Sequence, residues 1–261
     1  MALYFQSLCS SSSGNCLTLW SDTTRLVIDC GLASMKRTRL ALHPLTEQGP
    51  IDSVLLTHIH SDHISYYPLR VLEAMGIPVH LPADCIDSLK ARHFNGYGFK
   101  HLSLHPYSNQ AFTVGDFQVR PFEVSHYPGF PTFGFEVLYQ DVKVVIATDF
   151  YQWDNIFDRF IDADFIFVES NHDMDLLRQY YNPNSRYHLP NPRTAELLVN
   201  LIKAGRKMPR IIMLGHLSNQ RNTPRLAIQE TATAFTHAGL HMPFALEAAP
   251  LRQAGKPVRI V

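Results

Sequence analysis

Hydrophobic and polar positions set out a chain that begins as strands and ends by alternating strands with helices. Residues 4–8, 18–20 and 25–29 are short β-prone runs, the last two flanking Ser21-Asp22-Thr23-Thr24 as a hairpin turn. Residues 10–15, rich in Ser, Gly and Asn, read as a loop between the first two runs. Residues 53–57 (Ser-Val-Leu-Leu-Thr) have the unbroken apolarity of a buried strand. Ser65 stands as the cap of a helix over 67–75, closed by Gly76 and Pro78, and a second helix fits 83–92. The middle third returns to strands: 112–114 and 117–124 about Gly115-Asp116, then 133–139 and 142–148 about Gln140-Asp141. The last third predicts a strand at 165–168, helices at 174–181 and 194–203, a strand at 210–214 and a helix at 224–237.

A β-rich half followed by a β/α half implies an α+β fold, an αββα four-layer sandwich in which two facing mixed sheets are flanked by helices. Aromatic residues run from Tyr4 to Phe244 with no Pro/Ser/Gly-rich linker or charge block between them, so a single domain over 1–261 is expected. A chain of 261 residues with 46% hydrophobic content can bury such a core.

Composition changes this picture mainly by exclusion. Lys plus Arg and Asp plus Glu both number 23, so no global positive field holds nucleic acid or an anionic membrane, and a polyanionic substrate must be gripped locally. The basic run Lys36, Arg37 and Arg39 and the scatter at Arg206, Lys207 and Arg210 read as solvated surface. Cys9, Cys16, Cys30 and Cys85 have neither zinc-knuckle spacing nor disulfide density and read as mostly buried thiols. With no long apolar run and no leader pattern, the expectation is a soluble cytoplasmic protein without a membrane role or an obligate protein partner.

The chemistry gathers behind the strand at 53–57, where His58, His60, Asp62 and His63 follow in a His-x-His-x-Asp-His cluster. In an extended segment, side chains two apart point the same way, so His58 and His60 can face one ion while Asp62 and His63 turn towards another. Imidazole and carboxylate are the donors that zinc accepts. Chance would produce the cluster in only about two chains per thousand of this composition. His43, His80, His93, His101, His105, His237 and His241 join no motif and read as surface or hydrogen-bonded core residues.

The segment Thr57-His58-Ile59-His60-Ser61-Asp62-His63 resembles the signature of the metallo-β-lactamase superfamily, and Val124-Ser125-His126, Ala147-Thr148-Asp149 and Leu214-Gly215-His216 resemble its later strand-end ligands in order. The resemblance implies that His58, His60 and His126 hold a first metal, that Asp62, His63 and His216 hold a second, and that Asp149 bridges them. It also implies two divalent ions, zinc first, with manganese or iron as alternatives that the same donors suit.

Ser12-Ser13-Gly14-Asn15-Cys16, Glu169-Ser170-Asn171-His172-Asp173 and Gly215-His216-Leu217-Ser218-Asn219 further resemble the bacterial YycJ/WalJ-type subgroup. That resemblance implies a phosphodiesterase acting on DNA, a 5′-to-3′ exonuclease working through a metal-bridging hydroxide. One departure is Tyr187-His188-Leu189-Pro190-Asn191, where that subgroup usually has Gly-His-Leu-Ser-Asn, and Pro190 removes a backbone donor. On this reading Asp62, His188 and His172 are the catalytic candidates, with His188 placed to protonate a departing oxygen or bind a terminal phosphate. Ser12, Ser13, Asn15, Asn171, Ser218 and Asn219 are the substrate-binding candidates, the Ser12 loop as a nest of amides for phosphate. Hydrolysis of a small ester, thioester or lactam is the alternative, since the same ions polarise a carbonyl. Ile64-Ser65 stands where the thioester branch commonly has Gly-Gly. A mono-iron dioxygenase is the further alternative, disfavoured by the presence of Asp62, His63 and His216.

Overall fold

The computed structural model describes residues 2–94, 98–251 and 253–261, and among these the strands form two sheets of seven. Strands β1 (Tyr4–Ser11), β2 (Gly14–Trp20) and β3 (Arg25–Ile28) form an antiparallel meander. To it β4 (Ser53–Leu55), β5 (Val79–Pro82) and β6 (Leu104–Tyr107) add in parallel. Parallel neighbours need crossovers, and α1 (Met35–Thr46), α2 (Tyr66–Met75) and α3 (Ile86–His93) supply them.

The second sheet repeats the plan. Strands β7 (Phe112–Val114), β8 (Phe117–Val124), β9 (Thr132–Tyr139) and β10 (Val142–Ala147) are antiparallel, and β11 (Phe165–Glu169), β12 (Ile211–Gly215) and β13 (Ala245–Ala248) follow in parallel. Helices α4 (Phe157–Phe160), α5 (Met174–Gln179), α6 (Asn191–Ala204) and α7 (Pro224–His237) lie in its connections, and β14 (Val258–Arg259) returns to pair with β1.

Side-chain alternation builds the layers. On β10, Val144 and Ile146 point between the sheets with Phe5, Phe135 and Phe167, while Val145 and Ala147 point outward under Leu197 and Leu198 of α6. On β4, Leu55 faces inward, and Val54 with Leu56 packs under Leu42 of α1 and Leu69 of α2. Central strands are therefore apolar on both faces, which is why they read in the sequence as continuous runs. Each fully buried phenylalanine, such as Phe5 or Phe135, contributes about 1.5–3 kcal/mol through burial.

The sandwich agrees with the expectation, and the differences have local causes. The stretch 10–15 is mostly strand: Ser10 and Ser11 continue β1, Gly14 and Asn15 begin β2, and only Ser12 and Ser13 turn. Its hydroxyls and amides are consumed by cross-contacts, described below, that composition does not reveal. The helix expected at 83–92 is a 3₁₀ turn, Ala83–Cys85, leading into α3. Ser65 occupies the cap position of α2 but makes no side-chain cap bond.

Helix α5 stops at Gln179 rather than 181, and α6 begins at Asn191, three residues early, behind Pro190 as its cap. Helix α1 has no counterpart in the expectation because Pro44 and the basic run mask it, although Thr38, Leu42 and Leu45 mark its buried face. The short strands β5, β6, β13 and β14 are also additional. Cys9, Cys16, Cys30 and Cys85 are free and buried, as read from their spacing. Among the described residues no helix is long and apolar enough to cross a membrane.

Candidate metal centre

Strand ends from both sheets meet at one rim. Asp29 follows β3, the His58–His63 segment follows β4, His126 follows β8, Asp149 follows β10, Glu169 ends β11 and His216 follows β12. Loops beyond strand ends are where such sheets leave room for ligands. Three of these residues turn the chain through left-handed backbone, Asp29 at φ 57°, Asp149 at φ 60° and His216 at φ 51°, a costly conformation for a side-chain-bearing residue. Gly31 backs the histidine segment so closely that a Cβ there would lie 1.7 Å from the Asp62 carbonyl oxygen.

The ligating atoms of His58, His60 and His126 lie within 4.8 Å of one another, as do those of Asp62, His63 and His216. Asp149 stands between the two groups: its Oδ1 is 3.7 Å from His126 Nε2, and its Oδ2 is 3.1 Å from His63 Nε2 and 3.6 Å from His216 Nε2. The structure thus brings together all seven residues singled out as candidate ligands. Tetrahedral zinc with bonds of about 2.0–2.1 Å sets its donors roughly 3.3 Å apart, and the spacing here is of that order.

Hydrogen bonds fix which nitrogen each ring offers. His63 Nδ1 donates to Asp29 Oδ2 at 2.8 Å, His126 Nδ1 to the Tyr187 carbonyl at 3.0 Å, and His216 Nδ1 to Glu169 Oε1 at 2.8 Å. Each ring therefore turns Nε2 towards the centre, and that of His63 also lies 3.1 Å from Asn15 Nδ2. His58 Nε2 and His60 Nδ1 face each other at 2.8 Å. Asp149 Oδ2 and His216 Nε2 are buried without a hydrogen-bond partner, and two such orphaned acceptors pointing into one space fit a cation.

The charges divide the centre. Burial, with the neighbouring histidines, pushes His58 well below the usual histidine range and His60 down to about 4, so this half is neutral. In the other half, burial alone would lower His216, but the neighbouring carboxylates of Asp149, Asp62 and Glu169 outweigh it and raise the ring to about 10. His63 is likewise carried well above its ordinary value, against burial, by Asp149, Asp29 and Asp62. Burial would raise Asp149, yet His216 and His63 hold it well below the carboxylate range. Protons thus occupy the acidic half where a divalent ion would replace them.

Glu169 is the principal site residue to which the sequence assigned no role. Fully buried, it accepts from His188 Nδ1 at 2.7 Å and His216 Nδ1 at 2.8 Å on Oε1, and from the Phe150 and Leu189 amides on Oε2. Burial would raise its pKa, but the charge of His188 and the bonds from both rings hold it at about 2. Asp29 is the other, buried behind His63 and also accepting from Thr57. Both carboxylates follow an apolar run within a strand, residues 26–28 and 165–168, and that is the signal that could have found them.

A cleft of about 560 Å³ opens beside the centre, lined by His60, Asp62, His188, Tyr127, Arg92 and Arg221 among others. Of the substrate-binding candidates, Ser12 and Asn171 line it, and Ser13 lines an adjoining groove together with Ser12 and Asp62. Asn15 and Ser218 line neither groove. Asn15 is buried and donates to the Asp62 carbonyl, and the Ser218 hydroxyl accepts from the Arg221 amide. Asn219 also lines neither and ties the Ser13 hydroxyl to the far side. These three side chains frame the site from outside the cleft.

His188 lines the cleft with its Nδ1 committed to Glu169, which leaves Nε2. His172 is not brought there: its ring is buried against the Asn171 side chain, and burial lowers it to about 4. Pro190 does not disturb the segment, because its carbonyl starts α6 by accepting from Thr194.

Residues 24–210 match the model of a Beta-lactamase superfamily domain. The chain is 28% identical over 246 residues to an exodeoxyribonuclease WalJ of Streptococcus pneumoniae, covering 89% of this chain and 88% of the relative. It is 28% identical over 265 residues to an exodeoxyribonuclease YycJ of Bacillus anthracis, covering 95% and 94%. Among solved structures, the metallo-β-lactamase fold protein YhfI of Bacillus subtilis superposes with a TM-score of 0.72 at 17% identity, over 99% of each chain.

Proposed function

The chain belongs to the β-lactamase superfamily, and from that membership we propose that it is a dinuclear metal-dependent phosphodiesterase, a nuclease that removes nucleotides from DNA ends. The observation that carries this reading is the long cleft beside the clustered donors, which pairs arginines Arg92 and Arg221 with the rings of Tyr127 and Tyr187. Arginines grip phosphates and aromatic faces stack on bases, a lining that suits a strand better than a compact carbonyl compound. The two relatives named exodeoxyribonucleases support the DNA substrate.

His58, His60 and His126 would hold one ion, Asp62, His63 and His216 the other, and Asp149 would bridge them. Zinc is the first choice because its preferred donors are these. Bound there, the ions supply the positive charge that polarises a phosphoryl oxygen and acidifies water. The chain's own part is positional. Asp29, Glu169 and the Tyr187 carbonyl hold the imidazoles by Nδ1, so the donors are set before substrate arrives. Glu169 also holds His188, whose Nε2 is the nitrogen left to give a proton to the departing oxygen. The four unpaired thiols support a cytoplasmic setting.

Metal analysis with a substrate panel tests the proposal: 5′-labelled duplex and single-stranded DNA, RNA, a chromogenic phosphodiester, a thioester and a β-lactam. The expected result is about two bound ions per chain and stepwise shortening of DNA. Turnover of the thioester or β-lactam with no phosphodiester cleaved would overturn it.

A further inference from the structure

Arg221 lies in the loop between β12 and α7, only 8% exposed, on the wall of the cleft that also holds Asp62 and His188. Several arginines elsewhere find a carboxylate, Arg70 with Glu73, Arg120 with Glu136 and Arg193 with Asp154, while the equally buried Arg25 lies away from the cleft and bonds to the Leu45 carbonyl and Gln48. Arg221 has no carboxylate among the described residues. Its Nε is buried without a partner, and Nη1 reaches the Tyr180 carbonyl at 3.5 Å and Gln220 Oε1 at 3.3 Å. Burial without an opposing charge also lowers its pKa. A buried guanidinium left in this state is costly unless an anion completes it.

The same cleft wall holds a second unused group. Ser185, 3% exposed, lines the cleft with a hydroxyl that has no hydrogen-bond partner. It belongs to the 3₁₀ segment Pro183–Tyr187, just after the Tyr180 carbonyl that Arg221 touches. The cation and the hydroxyl are thus set off from the centre's own carboxylates, with which Arg221 forms no ion pair.

We propose that Arg221 and Ser185 form an anion subsite for a non-scissile phosphate of the substrate strand, so that a neighbouring phosphate sets which bond reaches the centre. This rests on the phosphodiester reading above. A guanidinium takes phosphate oxygens two at a time, and a serine hydroxyl adds a donor. The phosphate is either the monoester at a strand end or the diester just inside the scissile linkage. Either one fixes the reach from the end and so favours removal of nucleotides one step at a time.

The test uses the metal-loaded protein, its Arg221→Met, Arg221→Lys and Ser185→Ala variants, and four probes. Three are oligonucleotides of one sequence: 5′-phosphorylated, 5′-hydroxyl, and 5′-hydroxyl with a neutral methylphosphonate as its second linkage. The fourth is inorganic phosphate, titrated calorimetrically. Removing the recognised phosphate should lower kcat/KM of the wild type by about tenfold or more and cost Arg221→Met nothing further. The first pair of oligonucleotides reports the terminal monoester, the second pair the internal diester.

Inorganic phosphate should bind Arg221→Met about tenfold more weakly, with Arg221→Lys between, since it keeps the charge and loses the fork. Arg221→Lys also stands in should the methionine variant not fold. If the arginine variants match the wild type within about twofold on every probe, the subsite falls. If no DNA is cleaved yet phosphate binding still depends on Arg221, the subsite stands and the DNA reading falls.

Discussion

Asp149 shows how much one side chain can be asked to do. Its two oxygens face different histidines, and its left-handed backbone, φ 60°, aims it between them. Asp149→Ala should therefore lose metal from both groups and abolish hydrolysis, as elemental analysis and rate would show; wild-type occupancy would refute the bridging role. Glu169 is more confined, since each of its oxygens accepts two N–H groups. Either orientation of an amide would turn its NH₂ against two donors, so Glu169→Gln should cost about 10–100-fold in metal affinity or rate. His188→Ala touches neither metal group of the proposal, so it should leave metal content intact while slowing phosphodiester cleavage by about 10²–10⁴-fold. All seven clustered residues were legible in the sequence because each stands at a strand end with metal-binding chemistry. Arg221 and Ser185 were not, because their significance lies in the partners they lack, and spacing does not encode an absence.

Elements carry signals of a different kind. His80 on β5 stacks between His105 of β6 and Phe112 of β7, and so joins the edge of one sheet to the edge of the other. The Ser53 hydroxyl meets its Nδ1 at 2.6 Å, and burial, with His105 beside it, lowers its pKa to about 4. The unfolded ring titrates near about 6.5, so this contribution to stability is whole above that pH and is lost as pH falls towards 4. His80→Phe keeps the stack without the titration. Its melting temperature should fall less than that of the wild type between those pH values, and parallel curves would contradict the assignment. The sequence reads His80 as a surface or hydrogen-bonded core residue, and its ring is partly buried and hydrogen-bonded. Strands such as β8 were legible through alternation and a Gly115-Asp116 turn, whereas β5 and β6, four residues each with an internal or terminal proline, give no period long enough to read.

Across the whole molecule, equal numbers of acidic and basic residues give no net positive field to hold a strand. Binding to single-stranded DNA through the cleft should then release few counterions: about three neutralised phosphates, at the ions, Arg92 and Arg221, give a slope near −2 in log K against log salt. A slope steeper than about −5 would require more basic contacts than the cleft lining offers. The four layers were legible as a whole, but the division into halves was not: each sheet is an antiparallel part followed by a parallel one, so neither is built from strand-rich sequence alone. What the sequence could not show is how the ends of the chain meet. The His216 amide donates to the Ser10 hydroxyl across 206 positions, Asn219 holds Ser13, and β14 lies beside β1. During synthesis, His58, His60, Asp62 and His63 therefore emerge long before the residue that completes their company. A nascent chain offers an open, unfinished set of donors, and the centre closes only once His216 has emerged to join them.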